Sequence, residues 1–137
     1  MAEIIYNNDV PAELRDAVQP HLDKWAWLIP TWCHRVRVGN TLDGSEGMTA
    51  DNQTQPEYRA AYIRFSPLWL ELDDGRREET AIHELLHIPI EPMRQVLTDL
   101  LRTSTNEPLV DLVAEQWRLA FEGTVQDLTY AIQKRVA

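Results

Sequence analysis

The sequence predicts an α+β fold: an N-terminal helix and a small β-sheet, then a helix that carries His83-Glu84-Leu85-Leu86-His87, and finally C-terminal helices. Three observations indicate this fold. Apolar residues recur at helical spacing near the N-terminus and again in the second half of the chain. Between these regions, short stretches alternate apolar and polar residues as half-buried strands do. The length of 137 residues, 44% of them hydrophobic, suits a single domain over residues 1–137 with one core.

The net charge limits the partners of the protein, and the cysteine count limits the ligands of a metal site. The net charge of −9 disfavours phosphate backbones and anionic lipid, so we expect neither nucleic acid nor a membrane as a partner. The first residues lack the basic region and long apolar run of a secretory signal, and we expect a cytoplasmic protein. Cys33 is the only cysteine, which excludes a thiolate zinc cluster. A metal site must therefore be built chiefly on His, Asp or Glu.

The first elements follow from periodicity. Ile4 to Tyr6 is expected to form a strand, and the segment after it a helix that packs one face. The apolar positions of that helix are Leu14, Val18, Leu22 and Trp25. Pro20 is expected to kink or divide the helix, because proline lacks the amide hydrogen that a helix uses. Trp32 to Val38 alternates basic and apolar side chains, which predicts a second strand.

The middle of the chain changes character. Residues 40–57 contain hardly any apolar side chains and are rich in small and polar residues, which is typical of a long mobile loop. Alternation resumes from Tyr58 to Phe65, the best strand pattern in the chain. Leu68 to Leu70 extends that apolar run toward a turn at Asp73-Asp74-Gly75.

Three helices are expected after the sheet. The helix with the motif should begin at the turn, with one of the pair Asp73-Asp74 as its cap, and end at Ile88 because Pro89 follows. Apolar spacing predicts a second helix from Pro92 to Arg102. Pro108 opens a third helix that ends near Lys134.

The motif on the first of these helices carries the chemistry. His83 and His87 are one turn apart, about 40° around the axis, so both imidazoles can reach the same metal ion. Two neutral imidazoles and a carboxylate suit one zinc ion with an open fourth position, as in catalytic zinc sites. Glu84 is adjacent to the first ligand, and we expect it to act as general base on an activated water. The pattern predicts metal-assisted hydrolysis of a peptide or related amide bond.

A third ligand must come from elsewhere, and no His follows His87, so a downstream ligand has to be acidic. We favour Glu122, because it follows Phe121 near the middle of the last helix and precedes Gly123, which permits close approach of a neighbouring element. Glu115, two turns earlier on the same polar stripe, is the next choice. The remaining candidates are Asp127, Glu91 and the upstream Cys33, His21 and His34.

The segment Thr80-Ala81-Ile82-His83-Glu84-Leu85-Leu86-His87 resembles the active helix of the zincin metallopeptidases, especially small versions from bacteriophage and prophage genomes. In that group a late helix carries a Glu followed by spaced aliphatic residues, similar to Glu122, Val125, Leu128 and Ala131 here. The resemblance implies a minimal zincin-like fold with a gluzincin-like third ligand at Glu122. It also implies an edge strand, Tyr58 to Phe65, that aligns an extended substrate.

Two functions follow from these patterns. The first is a zinc metallopeptidase that acts on a peptide or protein substrate in the cytoplasm, that of the host cell if the protein is phage-encoded. The second is a catalytically inactive zincin-fold phage protein, in which the metal is structural or the surface binds a protein. The chain departs from the resemblance at Pro89, and it lacks the Gly-rich extension with a third His. Glu84 discriminates the two functions, because a structural site has no use for a general base.

Overall fold

The computed structural model describes residues 1–40 and 47–136, and in this part of the chain the architecture is α+β, as the sequence predicts. The strands are β1 (Glu3–Tyr6), β2 (Arg35–Gly39), β3 (Ala50–Gln55) and β4 (Ala60–Phe65). The helices are α1 (Ala12–Trp25), α2 (Asp74–Leu101) and α3 (Glu107–Val136). Short 3₁₀ helices lie at Ala26–Leu28, Pro56–Tyr58 and Pro67–Glu71.

The four strands form a mixed sheet in the order β1-β2-β4-β3. β1 and β4 both pair with β2 in parallel, and α1 connects β1 to β2. β3 pairs with β4 in antiparallel register, with Asn52 opposite Ile63 and Thr54 opposite Ala61. β1 and β3 are therefore the edges of the sheet, and β4 lies inside it.

One face of the sheet and the helices α1 and α2 enclose the core. Alternate side chains of β2 and β4 point to that face and are buried, because successive residues of a strand face opposite sides. Trp25 and Trp69 are fully buried in this core. The ring centroids of Trp69 and Phe65 are 4.9 Å apart in an edge-to-face arrangement. The apolar back of α2, which includes Ile82 and Leu85, is buried in the same core. Burial of each such side chain contributes about 1.5 to 3 kcal/mol.

The predicted mobile loop over residues 40–57 is wrong for Ala50–Gln55, which forms strand β3. Residues 41–46 of that segment lie outside the described residues. β3 lacks apolar alternation because it is an edge strand in which only Ala50 and Thr54 are buried. The expectation that Tyr58 to Phe65 is an edge strand is also wrong, since β3 pairs with β4 on that side. The edge strand beside α2 is β3.

α2 runs without a break through Pro89 and Pro92, where the sequence predicts two separate helices. Pro89 is exposed, but the carbonyl group that it leaves without an amide partner is that of the buried Leu85, so packing of the helix must outweigh this loss. Pro20 lies inside α1 and is exposed in the same way. Leu68 to Leu70 belongs to a 3₁₀ helix capped by Ser66 and does not extend the strand. Two helices therefore follow the sheet, and none in the described ranges combines the length and hydropathy needed to cross a bilayer.

Candidate metal centre

Three side chains from two helices meet between α2 and α3. The Asp73 carboxylate accepts a hydrogen bond from the Arg76 amide and starts α2, which then presents His83 and His87 on one face. α3 packs against α2 and brings Glu122 close to both histidines. Among the described residues, these three offer ligand atoms that all lie within 4.8 Å of one another.

The spacing of the three donors matches a four-coordinate ion. The two Nε2 atoms are 3.2 Å apart, and Glu122 places Oε2 at 3.3 Å from His83 Nε2 and Oε1 at 3.5 Å from His87 Nε2. A tetrahedral ion with ligand bonds of about 2.0 to 2.2 Å holds adjacent ligand atoms about 3.3 to 3.6 Å apart. Each of these separations is therefore close to that between two corners of such a tetrahedron, the two to Glu122 being measured to its two different oxygens. Two nitrogens and a carboxylate fit a divalent ion that takes such ligands.

A chain of hydrogen bonds orients His83. An ionised carboxylate only accepts, so the Gln126 amide nitrogen donates to Glu79 Oε1 at 2.9 Å and the Gln126 amide oxygen faces His83. That oxygen accepts from His83 Nδ1 at 2.8 Å, which places the ring hydrogen on Nδ1. The free lone pair of His83 is therefore on Nε2, the atom nearest His87 and Glu122. Outer partners of this kind fix the ring orientation of metal-binding histidines.

His87 is held in the neutral form that binds metals. Burial lowers the pKa of His87 to about 4; Glu122 opposes this shift, and His83 and Arg94 add to it. The ring of Phe121 lies against the His87 imidazole, with the centroids 5.4 Å apart. A neutral imidazole offers its lone pair to an ion without first releasing a proton.

Glu84 lies in the motif but does not join the triad. It is only 6% exposed, and its main-chain oxygen accepts a hydrogen bond from Asn52 Nδ2 of β3 at 3.1 Å. Burial, and to a smaller extent the charges of Asp51 and Glu122, together raise the pKa of Glu84 to about 8. Within the described residues its Oε2 has no hydrogen-bond partner. The carboxyl group can therefore take up and release a proton near neutral pH, close to the triad.

The other candidate ligands are paired or lie elsewhere. Glu115 accepts hydrogen bonds from Arg118, and the buried Glu91 accepts them from Arg94. The upstream candidates are also occupied or outside the group: His21 packs on Trp69, Cys33 Sγ donates to the Arg35 carbonyl, and His34 is exposed. Asp127 is exposed on α3 and is not part of the group.

Sequence reasoning assigned no role to Gln126, Glu79 or Asn52, although each contacts the site. Gln126 follows Glu122 by one helical turn, as His87 follows His83, and this spacing was the signal that places it on the same face. Asn52 gave no signal, because its segment has the composition of a loop.

One reason for favouring Glu122 was wrong. Apart from its chain neighbours and the adjacent backbone of α3, no described atom lies within 4 Å of the position that a Cβ would take at Gly123, so no neighbouring element approaches closely there. The other reason agrees with the structure. Phe121 is 8% exposed and packs on His87, so the residue before Glu122 anchors α3 at this point.

Comparison of the chain with protein-family models, with curated proteins and with solved structures finds no match. The resemblance to the zincin metallopeptidases therefore stays a proposal. Its support is the spacing of the motif together with the position of Glu122 beside the two histidines.

Proposed function

We propose that this chain is a zinc-dependent metallopeptidase that hydrolyses a peptide or related amide bond. The observation that carries the proposal is Glu122 lying 3.3 and 3.5 Å from the Nε2 atoms of His83 and His87. Two imidazoles and one carboxylate are a ligand set of catalytic zinc sites, which keep a fourth position open. The third ligand is then gluzincin-like, a Glu supplied by a later helix.

Each residue has its own task in the proposed reaction. When bound, zinc supplies Lewis acidity, which polarises a substrate carbonyl and makes water more acidic. Glu84 takes a proton from the attacking water and delivers it to the leaving amine. A nearby cation favours the ionised form of Glu84 and so opposes the effect of burial on its pKa. The burial of Glu84 keeps bulk water from competing for the proton.

We propose that an extended peptide binds along the outer edge of β3, beside the triad. Among the described residues β3 pairs with β4 on one side and with no strand on the other, so we propose that main-chain groups of Ala50–Gln55 can bond an extended peptide. Asn52 of β3 bonds the main chain at Glu84 and lines the cavity that contains His87 and Glu122. A peptide that pairs with this edge therefore passes the proposed zinc ligands.

Zinc content and peptide cleavage test the proposal. We expect one zinc ion per chain and hydrolysis that a chelator removes and added zinc restores. Glu84→Gln should keep zinc and lose about 100- to 10 000-fold in rate, because only the base is removed. Glu122→Gln should lose zinc affinity, whereas Glu115→Gln on the same polar stripe is the matched control and should keep it. A chain that binds no zinc, or cleavage that persists in Glu84→Gln, refutes the proposal.

A protein-binding role without catalysis is the second candidate, and one observation favours it. Large apolar side chains are exposed on the last part of α2 and on α3, namely Met93, Val96, Leu100, Leu109, Leu112 and Leu119. Exposed apolar surface of this kind is typical of contact with a partner. The metal would then fasten α2 to α3. In that case the wild type cleaves no peptide, and Glu84→Gln changes neither zinc binding nor partner binding.

A further inference from the structure

A cavity of about 530 Å³ lies on the outer face of the sheet, the face that points away from α1 and α2. Arg35 and Arg37 of β2 line it, together with Ala60 and Tyr62 of β4. These residues alternate with the buried residues of the two strands, so their side chains point outward. The helix that carries both histidines packs on the core face. The cavity is therefore separate from the candidate metal centre.

Residues of three neighbouring strands shape the cavity. Ala60 of β4 is paired with Arg35 of β2 on one side and with Gln55 of β3 on the other. Neighbouring strands are about 4.8 Å apart, so the arginine and glutamine side chains form two walls about 10 Å apart with the small alanine between them. The Tyr62 ring lies over Gly39, where a Cβ would clash with it, so this ring leans away from Ala60. The space above Ala60 is therefore open to a ligand.

The two arginines of this cavity are free to bind an anion. Both are exposed, and in the part of the chain that the structure describes neither guanidinium makes a hydrogen bond or an ion pair. Glu3 is opposite Arg35 in the sheet but forms no ion pair with it. By contrast, Arg64 on the same face is held by Asp51. In a chain of net charge −9, this local positive charge favours an anionic partner.

The spacing of Arg35 and Arg37 matches that of carboxylates on an extended peptide. Side chains two residues apart on a strand share a face and are about 6.6 to 7 Å apart. Acidic residues at alternate positions of an extended peptide have the same repeat, so each carboxylate can meet one guanidinium through two parallel hydrogen bonds. Gln53 and Gln55 repeat at this distance on the other wall and offer amide groups to the peptide main chain.

From the free arginines, their spacing and the open groove we infer that the outer face of the sheet binds an acidic peptide segment in extended conformation, with carboxylates at alternate residues. This binding needs neither zinc nor turnover, so it goes beyond the proposed function and does not depend on it.

Two labelled peptides test the inference on the metal-free chain, with a chelator present so that zinc-dependent cleavage cannot occur. The probes are Thr-Glu-Thr-Glu-Thr-Gly and its isomer Thr-Thr-Glu-Glu-Thr-Gly, each carrying a neutral dye. They have the same charge and composition, but in the extended isomer the two carboxylates point to opposite sides. Fluorescence anisotropy should give at least about 5-fold tighter binding of the alternating peptide to the wild type.

Substitutions at exposed positions locate the binding site. The double variant Arg35→Gln/Arg37→Gln should bind the alternating peptide at least about 10-fold more weakly and lose the preference between the isomers. Arg76→Gln is the matched control, because this exposed arginine on α2 does not line the cavity, and it should bind as the wild type does. Gln55→Glu places a carboxylate on the opposite wall and should weaken binding, whereas Glu3→Gln removes the acid opposite Arg35 and should tighten it.

Equal binding of the two isomers by the wild type overturns the inference, since a single anionic group would then be enough. Binding that survives in the double arginine variant also overturns it, because the peptide would then bind elsewhere. Vesicles rich in phosphatidylserine that bind the wild type more tightly than the peptide does, and fail to bind the double variant, would assign the face to a membrane surface instead. Because the chelator removes zinc from the test, these outcomes leave the metallopeptidase proposal as it stands, and absence of zinc binding leaves this inference as it stands.

Discussion

Gln126 couples the orientation of His83, a candidate metal ligand, to the packing of α3 on α2. Its amide oxygen accepts from His83 and its nitrogen donates to Glu79, so Gln126→Leu removes both bonds. We expect zinc affinity to fall about 10- to 100-fold, the usual cost of losing such an outer partner. Competition with a chromophoric chelator measures the loss. Gln116→Leu, at an exposed position of the same helix, should leave the affinity unchanged.

An exchange of the two side chains separates hydrogen bonding from packing. Gln126→Glu alone places two carboxylates together and should also weaken zinc binding, by repulsion. In the double variant Glu79→Gln/Gln126→Glu the amide donates to the carboxylate, and the carboxylate accepts from His83. This variant should recover most of the affinity. If it binds zinc as poorly as Gln126→Leu, the hydrogen-bond chain has no role in orienting His83.

Glu84 should make the metal-free protein less stable as the pH rises. Its pKa is about 8 in the folded chain and about 4.5 when unfolded, so between these values the folded state holds a proton that the unfolded state has released. The free energy of unfolding therefore decreases by about 1.4 kcal/mol per pH unit across this window and levels off above it. Glu84→Gln has no charge to bury and should be more stable than the wild type at pH 8.5, but not at pH 4.5.

Urea unfolding in the presence of a chelator measures the difference in the free energy of unfolding between the wild type and Glu84→Gln. His87 is buried in both chains, so its contribution to the pH dependence of stability cancels when one free energy of unfolding is subtracted from the other. Glu107→Gln, at an exposed position, should follow the wild type at every pH. A Glu84→Gln variant whose stability stays parallel to that of the wild type from pH 4.5 to 8.5 would show that Glu84 is not buried as described.

The sequence predicted the two histidines of the site because their spacing of four residues is local. His83 and His87 share a face because of helix geometry alone, which needs no knowledge of the fold. Glu122 was one of several acids, and the structure selects it because Phe121 docks α3 on His87. Gln126 escaped prediction, since its role depends on how two helices far apart in sequence are rotated against each other.

At the scale of elements, the continuity of α2 carries a prediction. Pro89 lies inside the helix and is exposed, so it removes one main-chain hydrogen bond without packing in the core. Pro89→Ala should raise the free energy of unfolding by about 1 to 2 kcal/mol, after the greater entropy of the unfolded chain is subtracted. Pro11→Ala, at the start of α1 where no helical bond is lost, should give no gain. A neutral Pro89→Ala would indicate a helix that breaks at this residue.

The element errors have one physical origin. Pro89 and Pro92 predict a break from local propensity, but packing of the helix against the sheet and α3 outweighs the lost hydrogen bonds. β3 lacks a strand pattern because its pairing with β4, and not an apolar face, holds it in the sheet. Of the predicted strand Tyr58 to Phe65, Ala60–Phe65 forms β4 and carries the alternation of a strand with one buried face, whereas Tyr58 ends a 3₁₀ helix.

At the scale of the whole molecule, a metal ion held by the triad would cross-link α3 to the rest of the protein. Among the residues of α3 whose burial is described, only Phe121, Val125 and Thr129 are buried, with Trp117 and Ile132 partly buried against the core, so the helix is held by little apolar area. Such elements open locally at low free-energy cost. Because Glu122 is on α3 and both histidines are on α2, opening of α3 would break the proposed metal site.

Hydrogen exchange therefore measures the cross-link directly. With free zinc at about 100 times its Kd, amides in the middle of α3 should exchange up to about 100-fold more slowly, equivalent to about 3 kcal/mol. The edge strand β1 can open without disturbing the triad, so its fast-exchanging amides should keep their rates. Glu84→Gln should show the same slowing, because its ligands are intact, and Glu122→Gln should show none. Slowing in Glu122→Gln would mean that zinc binds elsewhere and that α3 is held by other contacts.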